Sequence, residues 1–277
     1  MSGENCMVKE SRNKIYEVNT KVISNTLVNN NYKHLILSAP LEVLDIQPGQ
    51  FFHLKCPNFE NTISFLRRPM SVYQYSKQQR KIEFLYKVQG KGTMAMSSLK
   101  HRDHFNIVGP LGKGFELNKK YKNILIVARG VGLATLAPLA NSAFEKKINL
   151  TIICSAKSKE YLMSIELFKS LTSSVVTITD DDNSSSVDNL EVLINQLMQN
   201  RKIDAIFTCG SSRILKLLKK ICKDYNIPGQ VALEQQMACG IGMCFCCVKP
   251  FSIDGKVVQK RVCCEGPVFN ISEALPW

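Results

Sequence analysis

Six of the eleven cysteines in this 277-residue chain fall between positions 239 and 264, and that crowding constrains its architecture more than any other feature. Cys239, Cys244 and Cys247 form a C-x4-C-x2-C run, with a fourth ligand available downstream at Cys263 or Cys264. This is the spacing of a plant-type two-iron, two-sulfur (2Fe-2S) centre. The four-residue gap, which holds Gly240 and Gly242, lets the backbone wrap the inorganic sulfurs and aim amides at them. A zinc site would need two C-x2-C knuckles or histidine partners, and the stretch has neither. The five remaining cysteines are scattered, as small buried apolar residues are in a reducing compartment.

At ~100–200 residues per domain the chain is long enough for two domains and an appendage. The opening, MSGENCMVKESRNK, lacks the apolar core of a secretory signal. No apolar run approaches the ~20 residues of a membrane span, so the expected setting is the cytoplasm, with no membrane span. Residues 1–19 read as a polar leader. From there to residue 120, short alternating runs (21–28, 33–38, 50–55, 70–76, 81–88, 104–109) are separated by turn residues such as Pro48-Gly49. They predict an antiparallel β-barrel interrupted by one helical segment at 93–99. Over residues 121–230 the period changes. NILIVA, LTIIC, VVTIT and AIFTC each precede a helical segment, which predicts a doubly wound parallel-sheet α/β domain. Residues 231–277 form a loop-rich extension carrying the cysteines, too small to make much core without a metal staple.

The formal charge of +13 raises nucleic acid as a partner. The chain has no zinc-finger histidine spacing, no aromatic RNP-like strand and no helix-turn-helix pattern, so no nucleic acid is expected. A flavin dinucleotide would bring about −2, and four thiolates on an oxidised two-iron centre roughly −2 more. A basic surface that docks an acidic redox partner suits the remainder.

Three elements of the barrel region suit FAD. Arg68-Pro69-Met70-Ser71 places a guanidinium fork and a hydroxyl around a turn fixed by proline, a phosphate-binding arrangement. Leu85-Tyr86-Lys87 follows on a later strand, where Tyr86 either covers a flavin ring or fills the barrel core. Gly90-Lys91-Gly92-Thr93 then opens a helix whose free amides face a pyrophosphate.

In these residues the chain resembles the electron-transfer subunits of bacterial dihydroorotate dehydrogenase, within the ferredoxin–NADP reductase superfamily. The resemblance runs from about residue 21 to 269 and is most specific in LEQQMACGIGMCFCCVKP and KRVCCEGPVF. It implies cluster ligation by Cys239, Cys244, Cys247 and Cys263, the last because it occupies the cysteine place in RVC-x-E-G-P-V-F. Cys246 and Cys264 then lie beside ligands. It also implies FAD binding by residues 68–71, 85–87 and 92–93, an NAD(P)H donor site, and a partner oxidoreductase subunit in a heteromer serving pyrimidine synthesis.

The nucleotide half departs from the family pattern. Where a G-G-G-I-G-x-A-P turn is expected the chain has Ala128-Arg129-Gly130-Val131-Gly132, keeping only Gly130 and Gly132. Arg129 either binds a phosphate or blocks the pocket. Residues 180–184 read DDDNS in place of a glycine-containing segment, and Cys209-Gly210-Ser211 stands for C-G-P. Cys209 and Gly210 are expected close to a nicotinamide ring. Two functions follow: an NAD(P)H-linked flavin and iron–sulfur oxidoreductase subunit, or a redox relay that has lost nicotinamide binding.

Overall fold

The computed structural model describes residues 14–58 and 64–276. Its amino-terminal half is one curled antiparallel sheet of β1 (Tyr16–Asn29), β2 (Tyr32–Ser38), β3 (Phe51–Leu54), β4 (Arg68–Ser71), β5 (Gln74–Ser76), β6 (Lys81–Lys87) and β7 (His104–Leu111). The strands run in the order β4-β3-β7-β1-β2-β6-β5. The single strand expected over 70–76 is two, because the chain crosses there from one edge of the sheet to the other. Val72 N donates to Gln50 O and Tyr73 N to Glu83 O, so the corner draws the two edges together. Inside sit Leu35, Leu37, Phe52, Leu54, Ile82, Phe84 and Ile107, all fully buried.

The leader is shorter than its composition suggests. β1 begins at Tyr16 and pairs with β7 from Tyr16↔Gly109 to Lys21↔His104. Its polar residues alternate outward, so periodicity is masked by an outer face of Glu17, Asn19 and Lys21. Residues 1–13 of that segment lie outside the described residues. The helix between β6 and β7, α1 (Gly90–Ser97), starts at its glycine, three residues ahead of the expected 93–99.

The second sheet is built from β8 (Asn123–Arg129), β9 (Asn149–Ala156), β10 (Val175–Thr179), β11 (Ala205–Cys209) and β12 (Gly229–Ala232), all parallel. Helices α2 (Gly132–Glu145), α3 (Ile165–Leu171), α4 (Val187–Asn200) and α5 (Ser212–Asp224) connect them. The order β10-β9-β8-β11-β12 reverses between β8 and β11, the point where such sheets bind ligands beyond their carboxyl ends. Strands buried on both faces carry near-continuous apolar runs, which is why NILIVA and AIFTC are so legible.

The carboxyl-terminal segment is more ordered and better anchored than a loop-rich appendage. A hairpin of β13 (Val248–Ile253) and β14 (Lys256–Arg261) leads into the short α6 (Val262–Glu265). β15 (Val268–Asn270) then joins the second sheet antiparallel to β12, from Gln230↔Asn270 to Ala232↔Val268. Phe251, Val262, Cys263 and Phe269 share one apolar cluster with Phe51 and Leu111 of the first sheet and Leu215 and Leu218 of α5. This tail therefore welds the two sheets together. Burial of apolar surface at ~25 cal/mol per Å² supplies that join before any metal is added.

Candidate functional site

A cleft of ≈ 790 Å³ opens between the two sheets. One wall is β4 with Arg68, Pro69, Met70 and Ser71; the next is the end of β6 with Leu85, Tyr86 and Lys87. Thr93 of α1, Ala134 and Thr135 of α2, and the extended stretch 233–237 close it. Residues more than 160 positions apart thus meet around one space. Leu233–Met237 runs directly on to Cys239, so a single stretch of backbone is both cleft wall and entry to the cysteine loop.

The Arg68 guanidinium lies over the first turn of α1. A Cβ added at Gly92 would stand 2.9 Å from Arg68 Nε, so only glycine leaves room for that approach. Arg68 Nη1 donates to the Leu66 carbonyl at 2.5 Å, a partner that leaves its charge for a ligand. α1 has no side-chain cap at Gln89, and the Thr93 hydroxyl instead turns back on Gln89, accepting from its N–H at 2.7 Å. Arginine and free helix amides therefore converge, as a pyrophosphate requires. Tyr86 is 1% exposed, packs with the barrel core and donates from its hydroxyl to Asn25 Oδ1 at 3.0 Å. Of its two readings the core role is the one its side chain takes, which leaves the strand backbone to face the cleft. Burial pushes its phenol up to about 12.

No sequence pattern pointed to Glu234. It lines the cleft, where burial raises its carboxyl above the ordinary range. Its contribution to the cleft was hidden in a stretch with no periodic pattern.

The nucleotide motifs meet at the reversal point of the second sheet. Gly132 opens α2 against β11: an added Cβ would meet the Cys209 carbonyl oxygen at 2.5 Å. One at Gly210 would collide with the Arg129 carbonyl. These two glycines are needed for close packing of the β8–α2 and β11–α5 turns. Gly130 differs, with φ +55° and nothing within 4 Å of an added Cβ, so its backbone is open to a ligand. Cys209 is 2% exposed; burial first, and then the Glu234 charge, push its thiol well above the usual range. It stays a neutral thiol.

Arg129 reaches across the ends of β8 and β9. Nη1 donates to Ser155 Oγ at 2.8 Å and Nη2 to Asp180 Oδ2 at 2.5 Å. From the first turn of α5, Arg213 Nη2 donates to the other oxygen of Asp180 at 2.7 Å, and Ser185 donates to it as well. Burial raises the Asp180 pKa, but the hydrogen bonds from Arg129, Ser185 and Arg213 outweigh it and hold the carboxyl below its usual range. The two sequence departures, an added arginine and an acidic run, thus answer each other. Arg213 escaped notice because it opens a lysine-rich amphipathic helix and reads there as one more solvated cation.

In the cysteine loop, Met243 and Cys244 donate their amides to Cys239 Sγ at 3.3 and 3.4 Å. Burial opposes ionisation, yet those amides and the Ile241 amide pull the Cys239 thiol down to about 6. Gly240 and Gly242 have φ of +72° and +87°, the left-handed turns that let these amides converge. Cys247 and Cys263 are buried side by side, with Cys263 N donating to Cys247 Sγ at 3.4 Å. Cys244 and Cys246 are exposed, and Cys264 is half-buried beside Gly242. Among the described residues no three Cys, His, Asp or Glu side chains converge as on a single ion. The donor set suits a larger, multi-sulfur group: a thiolate held by amides at one end and a buried thiol pair at the other.

Fold, cleft and cysteine loop together define a flavin- and iron–sulfur-dependent oxidoreductase of the ferredoxin–NADP reductase type. Residues 19–115 match the oxidoreductase FAD-binding domain, and residues 234–274 match the iron–sulfur cluster binding domain of dihydroorotate dehydrogenase B. The electron transfer subunit of dihydroorotate dehydrogenase B (NAD(+)) from Desulforamulus reducens is 32% identical over 249 residues, 90% of this chain and 94% of the relative. That from Caldanaerobacter subterraneus is 35% identical, covering 82% and 87%. The solved NADH-dependent reduced ferredoxin-NADP oxidoreductase superposes with a TM-score of 0.77 at 26% identity over 92% of this chain and 88% of that one. Ferredoxin-NADP+ reductase from Plasmodium falciparum, at 16% identity, 78% and 96% coverage and a TM-score of 0.59, shares the fold. The chain belongs to the family of dihydroorotate dehydrogenase B electron transfer subunits. No helix among the described residues is long and apolar enough to cross a membrane.

Proposed function

We propose that this chain moves electrons between a nicotinamide dinucleotide and a partner flavoprotein that oxidises dihydroorotate, in the cytoplasm, for pyrimidine synthesis. The observation that carries this reading is the continuous wall 233–239, which joins the cleft holding the Arg68 motif to the cysteine loop. Bound at these two places, FAD and a 2Fe-2S cluster supply the conversion between a two-electron hydride and single electrons. Residues 16–120, 121–230 and 231–277 serve as flavin domain, nucleotide domain and cluster extension.

Each group of residues has a part. Arg68 and the α1 amides at Gly92 and Thr93 face the pyrophosphate; Pro69, Met70 and Ser71 shape the wall beside it; Leu85, Lys87 and the backbone at Tyr86 bound the ring from β6. Cys239, Cys244, Cys247 and Cys263 ligate the cluster, with the Met243 and Cys244 amides steadying the first thiolate. Gly130 offers open backbone to the dinucleotide, Gly132 and Gly210 keep the crevice tight, and neutral Cys209 lines its floor. Two guanidiniums sharing one carboxylate leave a net positive charge at the start of α2 and α5, which favours a phosphate.

A second reading is supported by the same ion pairs. Arg129, Asp180 and Arg213 tie the ends of β8, β10 and β11 across the mouth of the crevice, and a chain whose crevice stays tied would relay electrons without a nicotinamide partner. Co-purification tests the first reading. A dihydroorotate-oxidising flavoprotein should be captured with the chain, and dihydroorotate should bleach its flavin only in that complex. Bleaching by reduced ferredoxin or another electron carrier, with no response to dihydroorotate in any complex, would contradict it.

A further inference from the structure

We propose that His53 donates a hydrogen bond from Nε2 into the cysteine loop and raises the reduction potential of the cluster held there. The assignment rests on the cluster-binding reading of residues 239–263. His53 lies in the middle of β3, is 1% exposed, and its Nε2 is buried with no hydrogen-bond partner among the described residues. Native interiors rarely leave such an atom unmatched, so its position points to a group that arrives later.

The ring edge presses on the loop itself. A Cβ built on Gly240 would stand 2.8 Å from His53 Nε2 and 2.9 Å from Cε1, so any side chain there would displace the imidazole. Gly240 follows Cys239, at the turn where the Met243 and Cys244 amides already point at the Cys239 sulfur. His53 therefore brings a buried ring nitrogen to the same turn, from the first sheet. The ring also lies against that of Phe51, with centroids 5.8 Å apart, and Phe51 lines the flavin cleft. One side chain of β3 thus faces the cleft, and the next on the same face meets the cluster loop.

Burial, and then the charge of Arg67, push the His53 pKa down to about 4, so the ring is neutral at working pH and carries one proton. A neutral donor stabilises electron-rich sulfur more strongly in the reduced cluster than in the oxidised one, which raises the potential. An imidazole that merely filled space would leave the potential where it was.

The test is an anaerobic redox titration of the full chain, loaded with FAD and cluster and read by electron paramagnetic resonance. In His53→Phe the equilibrium constant for cluster reduction should fall about tenfold, ~59 mV for one electron, while the flavin potential holds. His53→Gln, whose amide can donate, should recover a large part of the shift. An unshifted cluster potential in His53→Phe at full iron content overturns the proposal. Wild-type protein carrying ¹⁵N-histidine covers the case in which the variants fail to load. A ¹⁵N coupling in the pulsed resonance spectrum of the reduced cluster supports the assignment, and its absence overturns it. Loss of any cluster signal from reduced wild type would instead overturn the cluster reading on which the proposal stands.

Discussion

Arginines meet helix starts in both the flavin cleft and the nucleotide crevice, and the two regions are in opposite states. At α1, Arg68 bonds a backbone carbonyl and rests on Gly92, its charge still directed at the cleft. Around α2 and α5, Arg129 and Arg213 are both engaged by Asp180, above glycines that serve packing. The first region is pre-organised for an anion: the amides and guanidinium converge without having to exchange partners. The second must trade a protein carboxylate for a ligand phosphate. A charge-assisted bond is worth about 1.5–3 kcal/mol, so the exchange is near balance and small changes decide it. The same residue type thus marks a ready site in one domain and a contested site in the other.

The largest effect expected on this contrast comes from the cysteine loop, which sits at the far end of the ready site. Cys247→Ser should abolish the cluster absorption and iron content, since Cys247 is buried against Cys263, while FAD stays bound at the Arg68 cleft. Iron analysis beside the flavin spectrum reads both; loss of both cofactors together would mean that the sites are not separable. Next, Arg68→Ala should weaken FAD on the order of tenfold to a hundredfold, measured by flavin release on dilution. Unchanged retention would remove Arg68 from the phosphate site.

Arg129→Gly separates the two readings of the contested site by sign. If Arg129 holds a dinucleotide phosphate, KM for NADH should rise about tenfold. If the arginine ties the crevice shut, NADH oxidation should appear or quicken. Stopped-flow flavin reduction distinguishes them.

The smallest effects concern the supports. Asp180 is held below its unfolded pKa of ~3.9, so its contribution is fully present above that pH and fades as pH falls through the lower folded value. With a third of the carboxylate exposed, Asp180→Asn should cost ~1 kcal/mol or less near pH 7, with the gap to wild type narrowing below pH ~4. Thermal melts across pH check this. Tyr86→Phe should cost ~1 kcal/mol through the lost bond to Asn25 and leave the flavin spectrum unmoved. A shifted flavin band would put the ring back against the cofactor.

The ready site was legible in the sequence because its parts are local: R-P-M-S lies within the short strand β4, G-K-G-T within the start of α1, and C-x4-C-x2-C within one loop. The alternation of β8 to β12 with helices was equally plain, since buried parallel strands write continuous apolar runs. What escaped depends on distant pairings. The start of β1 at Tyr16 is defined by its partner β7, and β15 by β12. His53 sits in FFHL, where all four residues are buried because the barrel core covers one face and the carboxyl-terminal segment the other, so no alternation singled it out. Arg213 and Asp180 lie 33 positions apart and acquire meaning only when α5 and β10 bring them together beyond the carboxyl ends of the second sheet.

The central claim is that one chain joins a nicotinamide site, a flavin and an iron–sulfur centre. The direct test is an anaerobic visible spectrum of the purified protein before and after NADH, then NADPH. A flavin band with cluster shoulders that bleaches within seconds of one nucleotide is the result predicted, and it names the donor. The same spectrum, untouched by both nucleotides yet bleached by dithionite, would contradict the claim and leave the chain a relay with its crevice tied by Arg129 and Arg213.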